Sequence, residues 1–286
     1  MSDEEKNSGG QLNLLVASTE ADSVCEWVRE ALQKEPIEIS QPLSEESQIE
    51  IYFDSLLEAE IAKKALPPEF DIRAAAAKEY KEQDWTTFWQ HHFKITELGK
   101  NLRIVPEWEP APDDDRINII INPGLSFGTG GHFTTKFCLE ALEQAVQEIK
   151  PETMIDAGTG SGILSIAAIK LGIPHVAAFD FDPVCVEQCG ENALRNGVGG
   201  RINFFQADVL EPGWYSDPAD LVCANILTSV LLEAAPRIKR ATKKRMLLSG
   251  IREIEADAVA ETFIQLGCRE ISRDGDGKWC GLVIDV

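Results

Sequence analysis

Long apolar runs are absent from this sequence of 286 residues, and so is any excess of basic side chains. No stretch approaches the roughly 18 consecutive apolar residues that a membrane-spanning helix needs, which excludes a transmembrane helix. Residues 1–6 are polar and acidic, whereas a signal peptide begins with a basic segment. We therefore expect a cytoplasmic globular protein without a membrane partner.

Histidine is scarce, and the cysteines lack the spacing of a metal or redox pair. The four histidines show no local ligand spacing, and no interval between the seven cysteines makes a C-x-x-C pair. Cys185 and Cys189, four residues apart on a predicted helix, can share a face as small buried hydrophobic side chains. We expect no metal site, and reduced thiols that are mostly buried.

Basic residues number 27 against 48 acidic residues, which gives a formal net charge of −21. Such a charge repels phosphate backbones, which argues against broad nucleic-acid binding, and it attracts basic partners at long range. A general requirement for solubility would produce the same composition. The charge therefore favours a basic partner without identifying it.

Short strand and helix patterns alternate over the first 80 residues. Apolar and alternating segments predict strands at 11–18, 37–39, 48–54 and 70–74, with helices at 19–32 and 56–66. The order β-α-β-β-α-β is that of the split βαβ arrangement of ferredoxin-like domains. We expect a small N-terminal α+β domain over residues 1–80.

Residues 81–116 are predicted to link this domain to a larger one over residues 117–286. The segment follows a charged stretch and contains Trp85 and Trp89, which can lie on one helical face. Packing between the two domains explains these rings better than a substrate cage does. Residues 102–106 have a strand pattern, and an acidic turn occupies residues 110–115.

From Met154 onward, strand and helix patterns alternate, which predicts a doubly wound, largely parallel α/β sheet of the Rossmann-like kind. Ligands of such sheets bind at the carboxyl ends of the strands. Gly158, Asp180, Asp208 and Asn225 all fall at predicted strand ends. The sequence therefore predicts a binding site at this edge of the sheet.

Residues 154–162 join a predicted strand to a predicted helix through Gly158, Gly160 and Gly162. Glycine permits a sharp turn and lets a ligand approach the free N–H groups at the start of the helix. The dinucleotide fingerprint G-x-G-x-x-G would need its third glycine at Ile163, one residue later than it occurs here. A tight connection without a ligand is the alternative.

Asp180 stands about 20 residues after Gly158, where an acid can accept hydrogen bonds from both ribose hydroxyls of a nucleotide-type cofactor. Asp182 is an alternative for this role, and either carboxylate can instead cap the helix predicted to begin at Pro183. A second glycine-rich segment, residues 122–135, suits a loop that folds around a small ligand. Its Phe127, His132 and Phe133 would be superfluous in a plain linker.

The spacing D-x-G-x-G-x-G resembles motif I of the class I S-adenosylmethionine (SAM) methyltransferases, and several other segments resemble the PrmA family. These segments are Pro123-Gly124-x-x-Phe127-Gly128-Thr129-Gly130-x-His132-x-Thr134-Thr135, Phe179-Asp180-Phe181-Asp182-Pro183, Asn192-Ala193-x-x-Asn196-Gly197, Ala224-Asn225-Ile226-Leu227 and Leu248-Ser249-Gly250-Ile251. The likeness runs from about Trp85 to the C-terminus, and the N-terminal domain agrees in outline only.

The PrmA family trimethylates lysines and the terminal amine of large-subunit ribosomal protein eleven in bacteria. The resemblance therefore implies a SAM-dependent protein N-methyltransferase whose partner is a basic ribosomal protein. It implies a catalytic role for Asn225, whose amide oxygen would orient the nucleophilic amine. By the resemblance, Thr135, Gly158, Asp180 and Asn225 correspond to the family's SAM contacts. The full set of expected cofactor-binding residues is Phe127, Gly128, Thr135, Asp156, Gly158, Gly160, Asp180, Asp208 and Asn225. Ordinary turn chemistry is the other explanation for Asp208 and Asn225.

The sequence departs from the family pattern at Gly131, Phe133 and Thr159, none of which removes a donor or acceptor assigned to the cofactor. Two alternatives remain: a methyltransferase acting on another protein lysine or a small-molecule amine, and a non-catalytic SAM-binding protein of ribosome assembly. A nucleic-acid methyltransferase would favour an Asn-Pro-Pro-aromatic turn, which is missing here. We further expect a monomer whose N-terminal domain recognises the substrate.

Overall fold

The computed structural model describes residues 8–32, 34, 36–40, 46–81, 93–122 and 130–286. Contacts within the chain divide it into two units, Met1–His91 and His92–Val286. Trp85, Trp89, Phe127 and Gly128 lie outside the described residues. In the part of the chain that is described, no helix is both long and apolar enough to cross a membrane.

The first unit is a four-stranded antiparallel sheet with two helices. Its elements are β1 Ser8–Ala17, α1 Ala21–Trp27 with a π-helical extension Val28–Leu32, β2 Ile37–Ser40, β3 Glu46–Phe53, α2 Leu56–Lys64 and β4 Ile72–Lys81. The strands are ordered β2-β3-β1-β4. Leu12, Leu14 and Ile49 are among the alternating residues that fill the core of this unit. The predicted ferredoxin-like α+β fold is confirmed.

The second unit begins with a three-stranded sheet ordered β5-β6-β7, formed by Thr96–Leu98, Leu102–Pro106 and Ile117–Ile121. Two of these strands fall inside the segment predicted to be a linker, and Leu102 and Ile104 are fully buried in the core of this unit. The acidic turn also has a structural partner, because Asp114 accepts a hydrogen bond from the buried Arg103 at 2.6 Å. This ion pair holds the pKa of Asp114 below its usual value. Residues 93–116 are thus part of the second unit.

The remaining elements form a doubly wound sheet. They are α3 Phe133–Ile149, β8 Thr153–Ala157, α4 Ile163–Lys170, β9 His175–Asp180, α5 Pro183–Arg195, β10 Ile202–Gln206, β11 Ala219–Asn225, α6 Thr228–Arg240, β12 Thr242–Arg252, α7 Ala256–Gln265, β13 Arg269–Gly275 and β14 Trp279–Asp285. The sheet order is β10-β9-β8-β11-β12-β14-β13. β14 alone runs in the direction opposite to that of the other six strands. The predicted α/β fold with a largely parallel sheet is confirmed.

Both faces of this sheet are buried. Met154 of β8 packs into the core shared with α3 and α4, and the next residue, Ile155, packs into the core shared with α6 and α7. Parallel strands that are buried on both faces read as continuous apolar runs, as β8 and β11 do. The strand order reverses between β8 and β11, so the carboxyl ends of these two strands open the crevice where ligands of such sheets bind.

Candidate active site

The glycine turn between β8 and α4 has the backbone conformation that only glycine adopts easily. Gly158, Gly160 and Gly162 have φ angles of 74°, 54° and 82°. A Cβ atom on Gly158 would overlap the side chain of Ile226. The N–H groups of Gly158 and Thr159 both donate to the carbonyl of Phe179, at 2.9 and 3.0 Å, so the turn is fixed to the end of β9.

Asp156, in β8, is fully buried beneath this turn. Its Oδ2 accepts hydrogen bonds from the hydroxyls of Thr159 at 2.8 Å and Ser165 at 2.7 Å. Its Oδ1 has no partner among the described residues. Burial raises the pKa of Asp156 to about 6, and the nearby charge of Asp180 contributes to the rise. The carboxyl group of Asp156 below the turn therefore has one oxygen, Oδ1, that can still accept a hydrogen bond.

Asp180 ends β9 and is 6% exposed. One carboxylate oxygen accepts the N–H of Gly160 at 3.0 Å, and the other accepts the N–H of Asp182 at 3.1 Å. Asp182 instead caps α5, because its side chain accepts the N–H of Val184 at 2.8 Å. Of the two candidate acids, Asp180 is the one in contact with the glycine turn.

Asp208 follows β10 and is exposed. Its Oδ1 accepts the N–H of Leu210 at 2.9 Å, which is the local hydrogen bond of an Asx turn. The turn explains this conformation without a ligand. A contact with the adenine amino group stays a prediction.

Asn225 is the last residue of β11, where it pairs in register with Ser249 of β12. Its Oδ1 is buried and lacks a hydrogen-bond partner among the described residues. The two strands are held closely here, because Ile226 donates its N–H to the Ser249 carbonyl at 3.2 Å. A Cβ atom on Gly250 would overlap the backbone carbonyl of Ile226, which explains the glycine at this position.

Thr135 lies in the first turn of α3, which begins after His132 as N-cap. The residue is completely buried, and its hydroxyl has no partner within the described part of the chain. One helical turn later, Cys138 is fully buried near Ser249 and Asp156, and burial raises the pKa of its thiol. Thr135 therefore belongs to the same edge of the sheet as Asp156 and Asn225.

Three buried oxygen atoms at this edge, on Thr135, Asp156 and Asn225, thus have no described partner. Buried polar atoms in proteins are nearly always hydrogen-bonded, so three such atoms at one edge of the sheet indicate the place of a polar ligand. No cluster of His, Cys, Asp and Glu that could hold a metal ion occurs among the described residues.

Asn192 and Asn196 of α5 belong to the family motifs, but the sequence alone assigns them no role at the site. Asn192 donates to the carbonyl of Ser161 at 2.9 Å in the glycine turn and accepts the N–H of Asn122 at 3.0 Å. Asn196 exchanges two hydrogen bonds with the backbone of Ile120. The local sequence signal for this shared role is the spacing of the two asparagines, which are four residues apart and therefore lie on one helical face.

The sequence profile described as ribosomal protein L11 methyltransferase (PrmA) matches residues 12–285 of this chain. The chain belongs to this family. It is therefore a methyltransferase, and the PrmA resemblance is confirmed. A relative from Desulforamulus reducens, named ribosomal protein L11 methyltransferase, is 37% identical over 215 residues, which are 74% of this chain and 67% of the relative.

Two further comparisons agree with the PrmA family. A relative of the same name from Photobacterium profundum is 40% identical over 208 residues, 71% of this chain and 68% of the relative. The crystal structure of ribosomal protein L11 methylase from Lactobacillus delbrueckii subsp. bulgaricus has a TM-score of 0.62 and 33% identity. The match covers 67% of this chain and 98% of the methylase chain.

Proposed function

We propose that this protein transfers methyl groups from SAM to lysine and N-terminal amines of ribosomal protein L11. The observation that carries the proposal is the unpartnered Oδ1 of Asn225 beside the glycine turn. A buried acceptor at this place suits an amine nucleophile, because a neutral amine has N–H groups to donate. We infer the protein substrate from the names of the relatives, which are called ribosomal protein L11 methyltransferase.

The residues present fit the cofactor. The two carboxylate oxygens of Asp180 would accept from ribose hydroxyls, and the glycine turn would allow close approach of the adenosine. The Oδ1 of Asp156 and the hydroxyl of Thr135 are the unpartnered atoms left for its polar groups. When bound, SAM supplies a methyl group on a positively charged sulfur, and two neighbouring carboxyl groups suit that positive charge.

The protein side chains have to hold the substrate amine in its neutral form and in line with the methyl group. A free lysine has a pKa of about 10.4 and is mostly charged at neutral pH, so the site must favour the deprotonated amine by desolvation. Asn225 accepts one N–H and so orients the nitrogen lone pair. A strong general base is not required in this scheme, since the amine loses its first proton before it reacts.

Methylation of purified ribosomal protein L11 with isotopically labelled SAM tests the proposal. We expect label in L11, with mass spectrometry placing it on lysines and the N-terminal amine. Label in another protein of a ribosomal extract, or in a small amine only, would contradict the assignment of L11 as substrate but would still support SAM-dependent methyl transfer. SAM binding without any transfer would favour a non-catalytic role in ribosome assembly.

The substitution Asp180→Ala is expected to weaken SAM binding by about 1.5–3 kcal/mol, because the hydrogen bonds lost are charge-assisted. Calorimetry measures the effect directly. Asp182→Ala is the matched control: it removes the α5 cap, so it should cost about 1 kcal/mol of stability with little change in affinity. Unchanged affinity in folded Asp180→Ala would contradict the ribose assignment.

The affinity for SAM is expected to fall as the pH drops through about 6, where Asp156 takes up a proton. The same titration also affects the stability of the fold. The pKa of Asp156 is raised above its ordinary value of 3.8, so the folded protein binds this proton more tightly than the unfolded chain does. The stability contributed by Asp156 is therefore present below pH 3.8 and lost as the pH rises through about 6.

Asp156→Asn removes this titration and tests the pH prediction. The variant should bind SAM weakly at every pH and show a flatter affinity profile between pH 5 and 7, about one unit either side of 6. Urea unfolding at the same pH values checks the stability trend. A wild-type profile that is already flat would show that Asp156 does not meet the cofactor.

We further propose that the N-terminal unit recognises the protein substrate. It folds around its own core, and none of the residues assigned to the cofactor belongs to it. The net charge of −21 adds long-range attraction toward a basic ribosomal protein. A separate module of this kind can present several amines of one partner in turn to a single site.

A further inference from the structure

One crossover of the doubly wound sheet lacks its helix. The connections β8 to β9, β9 to β10 and β11 to β12 pass through α4, α5 and α6. Residues 207–218, which join β10 to β11 and are all described, contain neither a helix nor a strand. Parallel strands are usually joined by a helix that covers one face of the sheet. The face of β8, β9 and β10 that bears Ile155 and Phe205 is therefore covered by a loop.

Trp214 of this loop partly fills the place of the missing helix. Its ring lies 5.0 Å from that of Phe179, and its indole N–H donates to the Val209 carbonyl at 3.1 Å. A groove of about 700 Å³ remains beside it, lined by the first residues of β8, β9 and β10 and by residues 213–219. Its volume is in the range of small-molecule sites. It lies at the opposite end of the strands from the glycine turn.

Four cations surround the groove and a smaller hollow of about 240 Å³ that shares Trp214 and Tyr215 with it. Arg201 and Lys243 line the groove, and Arg237 and Arg240 line the hollow. None of the four makes an ion pair with a described carboxylate, whereas Arg103, Arg245 and Arg273 each bind two. The carboxylate lining the groove is that of Asp217.

The dipole of α6 explains the positions of only two of the four cations. Arg237 and Arg240 lie in the last turn of α6, where cations are favoured. Arg201 precedes β10 and Lys243 is the second residue of β12, so neither is at a helix end. Lys243 is close enough to Asp220 to help lower the pKa of that carboxyl, but none of the four cations has an ion pair among the described residues. In a chain with a net charge of −21, their position around an aromatic groove needs another explanation.

We propose that this groove binds a nucleoside phosphate, with the phosphate on Arg201, the base against Phe205 and Tyr215, and Lys243 adding charge attraction from the other side of the groove. Arginine and lysine are the usual phosphate ligands, and half-buried aromatic rings provide a stacking surface for a base. Asn203, also in the lining, offers both a donor and an acceptor to a base edge. The strongly acidic remainder of the chain repels a long polyanion, so a mononucleotide fits better than RNA.

Titration of the full-length protein with a fluorescent N-methylanthraniloyl derivative of ADP tests the proposal. The titration is carried out with S-adenosylhomocysteine in excess, so that the cofactor site cannot account for binding. We expect saturable binding that ADP displaces and that inorganic phosphate displaces far less well. Because the two sites lie at opposite ends of the strands, this result does not depend on the proposed methyl transfer.

The double variant Arg201→Glu, Lys243→Glu should weaken ADP binding at least about tenfold, because both cations of the groove are replaced by charges that repel the phosphate. The matched control Lys63→Glu, Lys64→Glu changes the net charge equally on α2 and should leave affinity within about twofold. Tyr215→Leu keeps an apolar side chain and should reduce binding of ADP without reducing that of phosphate. Absence of binding in the presence of S-adenosylhomocysteine, equal displacement by phosphate, or full affinity in the double variant would each overturn the proposal.

Discussion

Asn225→Ala is expected to lower the rate of methyl transfer by on the order of a hundredfold or more, while SAM affinity changes by less than about threefold. The amide oxygen lies at the end of β11, buried and without a described partner, so its hydrogen bond is free for the substrate amine. Loss of an orienting contact mainly affects the transition state, in which the nitrogen must be aligned with the methyl group. Single-turnover rates and calorimetry measure the two quantities separately.

The stability of the variant provides the control for Asn225. An unsatisfied buried polar atom costs about 1–3 kcal/mol, so its removal should offset the loss of packing and leave the melting temperature nearly unchanged. Asn225→Asp keeps an acceptor and should retain more activity than the alanine variant. Equal losses of rate and affinity in Asn225→Ala would assign the residue to cofactor binding alone.

Deletion of the N-terminal unit is expected to abolish most methylation of ribosomal protein L11 and to leave SAM binding intact. All assigned cofactor residues lie in the second unit, and the first unit has a separate core. A chain that begins near Glu82 retains β5 and β6, which the second unit needs for its own core. Methylation of L11 and binding of SAM are measured on the same preparation.

Circular dichroism must first show that the shortened chain is folded, because Trp85 and Trp89 stand close to the cut. A lysine-containing peptide serves as the matched substrate, since it needs no separate recognition module. The peptide should be methylated equally by the two proteins, whereas L11 should not. If the shortened chain modifies L11 at the full rate, recognition belongs to the second unit.

The glycine turn and the strand ends could be predicted from the sequence because both depend on local patterns. The positive φ angles of Gly158 and Gly160 follow from the spacing of glycines, and the carboxyl-edge position of Asp180 and Asn225 follows from the alternation of strands and helices. The ferredoxin-like order of the first unit was equally readable, since each strand has a clear alternation.

The rest depends on contacts between residues distant in sequence. Nothing local indicates that Ser165 donates to Asp156, or that Asn192 joins the glycine turn to the end of β7. The acidic turn falls in the segment that the sequence predicts to be a linker, because its partner, Arg103, is recognisable only once β6 is buried. The loop that replaces a crossover helix could not be predicted either, because the composition of a loop does not show which face of the sheet it covers.

The position of β14 leaves β13 as the outer strand of the sheet. The last strand of the sequence lies between β12 and β13, so within the described sheet β13 pairs with β14 alone and its other side is open. An open edge of this kind can pair with a strand of another chain. The exposed Arg269, Arg273 and Asp274 of β13 are the kind of charged side chains that discourage edge-to-edge association. The charges on β13 therefore help to keep separate copies of the folded protein from joining through this edge.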